Sequence, residues 1–195
     1  MSVAVIYHSS YGHTRVIADS IARGLDSSNV EVRLINVDDL TSQEAFNACM
    51  VDLNSFDGIV FGCPTYMGGP SAQFKAFMDR TSSVWFRQGW KNKIAGGFTC
   101  SGNPSGDKLA TLQALTIFAA QHSMLWVNQG HIAANEGANS SPDINRLGSF
   151  LGCMAQAGQV PADQEPGPAD QLTAELYGRR IGEVVRTWRR GTYPH

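Results

Sequence analysis

The sequence predicts an α/β fold, a doubly wound parallel sheet in three layers with helices on both faces. Two observations predict it. Apolar runs of strand length alternate five times with segments of helical spacing along the 195 residues, and parallel strands need such crossovers, which wind right-handed. Loops rich in Ser, Thr, Gly and Pro follow the first, third and fourth strands, at the carboxyl edge where sheets of this kind bind ligands. The length predicts one domain, 1–195, with a well-buried core.

The elements follow in order. Val3–Tyr7 is an apolar strand, and Val16, Ile17, Ser20, Ile21, Gly24 and Leu25 carry helical spacing over about Thr14 to Leu25. Val30–Ile35 alternates apolar and polar, as an edge-ward strand does. Thr41 or Ser42 caps a short helix over roughly Gln43–Met50. The third strand is Gly58–Gly62, and two prolines and two glycines exclude regular structure over Cys63–Pro70. A helix begins near Ser71 with Phe74, Phe77 and Met78, then Thr81–Lys93 is a connection whose Trp85, Phe86 and Trp90 read as exposed, compatible with a subunit contact. Ile94–Thr99 is the fourth strand, Cys100–Gly106 a loop, Asp107–Gln121 a helix and Met124–Val127 the fifth strand. Gln129–Ala169 has little periodicity and is too long for a plain connector, so it reads as a functional or disordered loop. Asp170–Arg190 closes the chain as a helix.

Composition narrows the function. A net charge of −2 makes no electrostatic case for nucleic acid or a membrane surface. No apolar stretch approaches a membrane span, and Met1–Ala4 lacks the basic start of a secretory signal. Cys49, Cys63, Cys100 and Cys153 are widely spaced and form no metal-ligand cluster, which suits a reduced cytoplasmic protein without a structural metal.

The candidate site is built from the three loops. Ser9, Ser10, Tyr11, Gly12, His13 and Thr14 offer hydroxyls and the free N–H groups of a helix start, which favour a phosphate. The same residues also suit an ordinary helix cap, with Ser10 or His13–Thr14 at the N-cap. Pro64, Thr65, Tyr66, Met67 and Gly68 offer backbone groups and flat or soft packing surfaces, and Ser101, Gly102, Asn103, Pro104, Ser105 and Gly106 add further donors. A planar, hydrogen-bonding heterocycle with one terminal phosphate fits this set, and FMN is such a molecule. No Gly-x-Ser-x-Gly or Ser-His-Asp setting competes with it.

Tyr11-Gly12-His13 within Ser9–Thr14, and Phe61-Gly62-Cys63-Pro64-Thr65 followed by Gly68 and Phe77–Thr81, resemble the flavodoxin-like NAD(P)H:quinone oxidoreductases of the tryptophan-repressor-binding-protein (WrbA) family. The resemblance spans about residues 3–130. It implies a flavodoxin-like five-stranded sheet of order 2-1-3-4-5, FMN as cofactor, NADH or NADPH as electron donor, a small-molecule quinone as acceptor and assembly into a dimer or tetramer. It also implies that Trp85 and His122 line the substrate site beside Tyr11, with His122 as a proton source. Three stretches depart from the family: Tyr66-Met67 stands where Arg-Phe is usual, Asn103-Pro104 replaces Thr/Gly repeats, and Arg146–Gly158 replaces a glycine-rich segment.

Each residue also has a plainer reading. His13 could be an exposed residue of a first helical turn, and His122 could simply end a helix. Trp85 could serve core or subunit interface. Cys63 and Cys100 read as small buried residues without a redox role. The arginines at 179, 180, 186, 189 and 190 read as a solvated face near a helix C-terminus. The function expected is two-electron transfer from NAD(P)H to quinone-like acceptors through FMN. The rivals are a flavodoxin-type electron carrier and a flavin-binding interaction protein without turnover.

Overall fold

The computed structural model describes residues 1–133 and 144–191, so 134–143 of the irregular segment lie outside the described residues. Strand β1 is Ser2–Tyr7, β2 Glu31–Asn36 and β3 Gly58–Tyr66. Strand β4 is Gly69–Pro70, β5 Ile94–Ser101, β6 Leu125–Trp126 and β7 Cys153–Gln156. The helices are α1 (His13–Asp26), α2 (Gln43–Ser55), α3 (Ala72–Arg80), α4 (Ser82–Phe86), α5 (Lys108–Gln121) and α6 (Pro168–Arg190). The parallel sheet runs β2-β1-β3-β5, and β6 and β7 share the fifth position. Counted by position this is the 2-1-3-4-5 order. Among the described residues no helix is long and apolar enough to cross a membrane.

Alternation along β1 divides the core. Val3, Val5 and Tyr7 face α1 and α6 with Ile17, Ile21, Tyr177 and Ile181. Ala4 and Ile6 face α2, α3 and α5 with Phe46, Leu53, Phe74 and Phe118. The half-exposed β2 lies at the sheet edge, as its mixed pattern predicts. Helix α2 runs five residues beyond Met50, because Leu53 packs fully into the second core.

Three expectations need correction. Cys63–Tyr66 continues β3, and Met67–Gly68 turns it into β4 as a hairpin. Pro64 is tolerated because β1 ends opposite Gly62, so its missing N–H breaks no ladder bond with β1. Both turn residues have positive φ, 46° at Met67 and 79° at Gly68, as a type I′ turn requires. The connection after Thr81 contains α4. Trp90 is fully buried against Phe61, Phe118 and His122, where an exposed position was expected. Burying an indole of about 200 Å² is worth roughly 5 kcal/mol in apolar area, which outweighs any pull to the surface.

The irregular segment splits the fifth strand. β6 pairs with Ile94 and Ala95, whereas β7 pairs with Phe98–Ser101. Between them the Gly97 N–H has no strand partner. It donates instead to the Tyr177 hydroxyl (3.1 Å), which donates in turn to the Val127 carbonyl (2.7 Å). Thus α6 completes the sheet where the chain leaves it.

Candidate functional site

The three loops meet at the carboxyl edge around a cavity of about 740 Å³, within the roughly 300–1,000 Å³ range of small-molecule sites. Ser9, Ser10, Tyr11, His13 and Thr14 form one end. The N-cap of α1 is Gly12, at φ 89°, and no side chain caps the helix there. The Ser9 hydroxyl accepts from the Arg15 N–H (3.1 Å), so the N–H groups of His13 and Thr14 have no side-chain cap. Ser9 thus takes one donor of the first turn, and the His13 and Thr14 N–H groups remain at the cavity end of α1. A Cβ on Gly12 would lie 2.8 Å from the Ala162 Cβ, so the loop and the segment above it fit only with glycine.

Pro64, Thr65 and Tyr66 line the second side of the cavity. The Thr65 hydroxyl is bonded to those of Thr99 (2.8 Å) and Thr111 (2.7 Å), and Thr99 donates to the Cys63 carbonyl (2.7 Å). This buried threonine cluster fixes β3, β5 and α5 beneath the site. Nothing in the sequence spacing announces it. Met67 is fully exposed at the hairpin tip, and neither it nor Gly68 lines the cavity.

From the third loop, Cys100, Ser101 and Gly102 line the cavity, whereas Asn103, Pro104, Ser105 and Gly106 do not. Those four turn back over the start of α5, where the Lys108 ammonium donates to the Asn103 carbonyl (2.6 Å) and the Lys108 N–H to the Ser105 carbonyl (3.1 Å). A fourth wall, Ala157–Pro161, comes from the irregular segment. Arg146 grips Asp170 with two bonds (2.7 and 2.8 Å), and Asp170 also accepts from the Gln156 N–H (2.8 Å). The Glu165 carboxylate accepts from the Gly158 N–H (2.5 Å). The His13 ring donates from Nε2 to the Val160 carbonyl (2.7 Å), so its side chain holds the fourth wall.

His8 was not singled out as a site residue. It is buried directly below the first loop, with Nδ1 paired to the Ser71 hydroxyl (2.8 Å) and Nε2 to that of Ser10 (3.2 Å). Asp38 lies 3.6 Å from Nε2. Burial lowers the pKa of His8, and Asp38 opposes that shift. The available signal was its place as the first polar residue after β1. Burial pushes the thiols of Cys63 and Cys100 up to about 12, which matches an inert reading.

The structure does not bring Trp85 and His122 to the cavity. Trp85 is half-exposed on α4. His122 is 1 % exposed, with its ring 4.4 Å from Trp90 and its Nε2 bonded to the Thr81 hydroxyl (3.0 Å). Burial lowers its pKa to about 4, so at neutral pH it is uncharged and sealed in the core. Its cost of protonation has a testable sign. Below pH 6.5 the unfolded chain takes up a proton that the folded chain refuses until about pH 4. Stability is complete above that window and falls through it by about 3 kcal/mol, with His8 adding in the same direction. Denaturant unfolding at pH 7 and pH 4 should show this slope, and His122→Gln should flatten it.

The fold and the cavity define a class: a flavodoxin-like α/β protein with a small-molecule cavity at the carboxyl edge of its sheet. A model of the NADPH-dependent FMN reductase family matches residues 1–139, and the chain belongs to that family. The chain is 38 % identical over 181 residues to Flavodoxin FldP of Pseudomonas aeruginosa, covering 92 % of this chain and 94 % of that one. It is 28 % identical over 200 residues to an NAD(P)H dehydrogenase (quinone) of Archaeoglobus fulgidus, covering 94 % and 96 %. The crystal structure of a flavodoxin, WrbA-like protein from Agrobacterium tumefaciens superposes with a TM-score of 0.71 at 38 % identity, covering 95 % of this chain and 98 % of that one.

The residues present fit FMN. The His13 and Thr14 N–H groups at the start of α1 suit the phosphate, and the Gly12 position admits no side chain. The cavity continues from that end to the backbone of β3 and β5.

Proposed function

We propose that the protein is an FMN-dependent oxidoreductase that passes two electrons from NADH or NADPH to a quinone-like acceptor. One observation carries this reading. The N-cap of α1 is a glycine without a side chain, and the His13 and Thr14 end of the helix opens onto a cavity walled by β3, β5 and the 157–161 segment. Bound FMN would supply the redox chemistry, and the chain supplies placement.

Ser9, Ser10 and Thr14, with the N–H groups of His13 and Thr14, would hold the phosphate. The helix dipole adds about 0.3–2 kcal/mol per anionic contact. Pro64, Thr65 and Tyr66, with Ser101 and Gly102, would hold the ring. The threonine cluster keeps these walls in register. Tyr11, largely exposed at the cavity mouth, offers a surface to the incoming nicotinamide or quinone. With His122 in the core, water at the open mouth is the proton source for the acceptor.

A dimer or tetramer and a cytoplasmic setting belong to the same proposal. The exposed Trp85 and Phe86 on α4 support self-association. The second reading, a one-electron carrier, is favoured by the likeness to a protein named flavodoxin. A charge of −2 weighs against it, because carriers steer onto basic partners through acidic surfaces. The test is reconstitution with FMN followed by NADH and NADPH oxidation with benzoquinone. Turnover supports the enzyme, binding without turnover supports the carrier, and no binding at saturating FMN sinks both.

A further inference from the structure

Lys108 is a buried cation that the mechanism so far does not use. Its side chain has no exposure, although it sits at the first position of α5. The ammonium donates to the Ser101 hydroxyl (3.0 Å) and the Asn103 carbonyl (2.6 Å). Among the described residues no carboxylate pairs with it. Asp170, the carboxylate whose charge acts on it, is held by Arg146 in a two-bond ion pair. Burial lowers the lysine pKa, Cys100 and Asp170 raise it, and Arg146 lowers it. A neutral amide would hold a loop carbonyl as well, without the cost of desolvating a charge.

The direction of that charge is set by Ser101. Its oxygen accepts from Lys108, so its own hydrogen is free to donate elsewhere, and Ser101 and Cys100 both line the cavity. The ammonium therefore polarises a hydroxyl at the ligand side of the wall. Hydride transfer from a nicotinamide would bring one proton and two electrons to bound FMN and release the oxidised nicotinamide cation. Unless a second proton followed, the reduced cofactor would carry one negative charge, which a nearby cation would favour.

We propose that Lys108, acting through Ser101, is a positioning charge that makes the cavity bind two-electron-reduced FMN more tightly than oxidised FMN. Lys108 thus biases the site towards two-electron exchange. This rests on the FMN reading above and deepens it.

The test compares FMN-loaded wild type with Lys108→Met and Lys108→Gln. Two quantities are measured: the dissociation constant of oxidised FMN by flavin fluorescence, and the midpoint potential of bound FMN by equilibration with a reference dye. Both neutral variants should bind oxidised FMN within about threefold of wild type. Both should lose on the order of tenfold in preference for the reduced form, a fall of about 30 mV for a two-electron couple.

An unchanged potential in both variants overturns the proposal. So does recovery of the wild-type potential by Gln but not by Met, which would make Lys108 a hydrogen-bond donor only. Equal loss of oxidised and reduced FMN in both variants also overturns it, by making Lys108 a loop pin. Failure of the wild type to bind FMN would instead remove the FMN reading itself.

Discussion

Ser10→Asp is expected to weaken FMN binding by about a hundredfold while leaving the fold intact. A carboxylate a few ångströms from a phosphate dianion costs about 3 kcal/mol even with substantial solvent screening. Ser10 is exposed, lines the cavity and makes only a long bond to His8 (3.2 Å), so little packing is lost. The same acid near the start of α1 should raise the stability of the ligand-free protein by a few tenths of a kcal/mol. Riboflavin, which lacks the phosphate, should bind the variant within about threefold of wild type. Fluorescence titration with both ligands, beside a thermal melt, separates a phosphate cradle from a helix cap. A loop that merely caps α1 would gain stability and show no difference between the two flavins.

The largest loss of stability is expected from Gly178→Val. Helices α1 and α6 cross backbone to backbone, and a Cβ on Gly178 would lie 2.1 Å from the Ile21 carbonyl oxygen. A Cβ on Gly24, the facing glycine, would lie 1.9 Å from the Glu175 carbonyl oxygen. No rotamer relieves a clash with backbone, so the helices must separate. The cost is about 3 kcal/mol or more, or about 10 °C in a thermal melt for a chain of this size. Gly178→Ala should move in the same direction, since the first side-chain atom is already the obstacle. FMN affinity should fall too. Asp170 on α6 anchors Arg146 and Gln156, and through them the segment that ends in the fourth wall.

Much of this architecture is legible in local sequence. Val3–Tyr7 is apolar throughout because both faces of β1 are covered. Ile17, Ile21 and Leu25 recur at helical spacing because α1 buries one stripe. The three loops could be placed at one edge because strand and helix alternate. What escaped depends on contacts distant in sequence. Pro64 looks like a strand breaker until β1 is known to end opposite Gly62. The 157–161 wall has no hydrophobic period because its supports are polar bonds to Asp170 and Glu165. His122 follows a helix and invites a pocket role, yet Trp90, far earlier in the chain, folds over its ring. The family resemblance identified FMN and its donor, while the burial of His122 under Trp90 is a property of this chain's own packing.

The most direct measurement is a single turnover without oxygen. FMN-loaded protein is mixed with one equivalent of NADPH or NADH, and flavin absorbance is followed before benzoquinone is added. We expect full bleaching by one equivalent of at least one nicotinamide, no accumulation of a radical band, and complete recovery with one equivalent of benzoquinone. Bound FMN that neither nicotinamide bleaches, or that passes through a stable radical, would contradict the two-electron account.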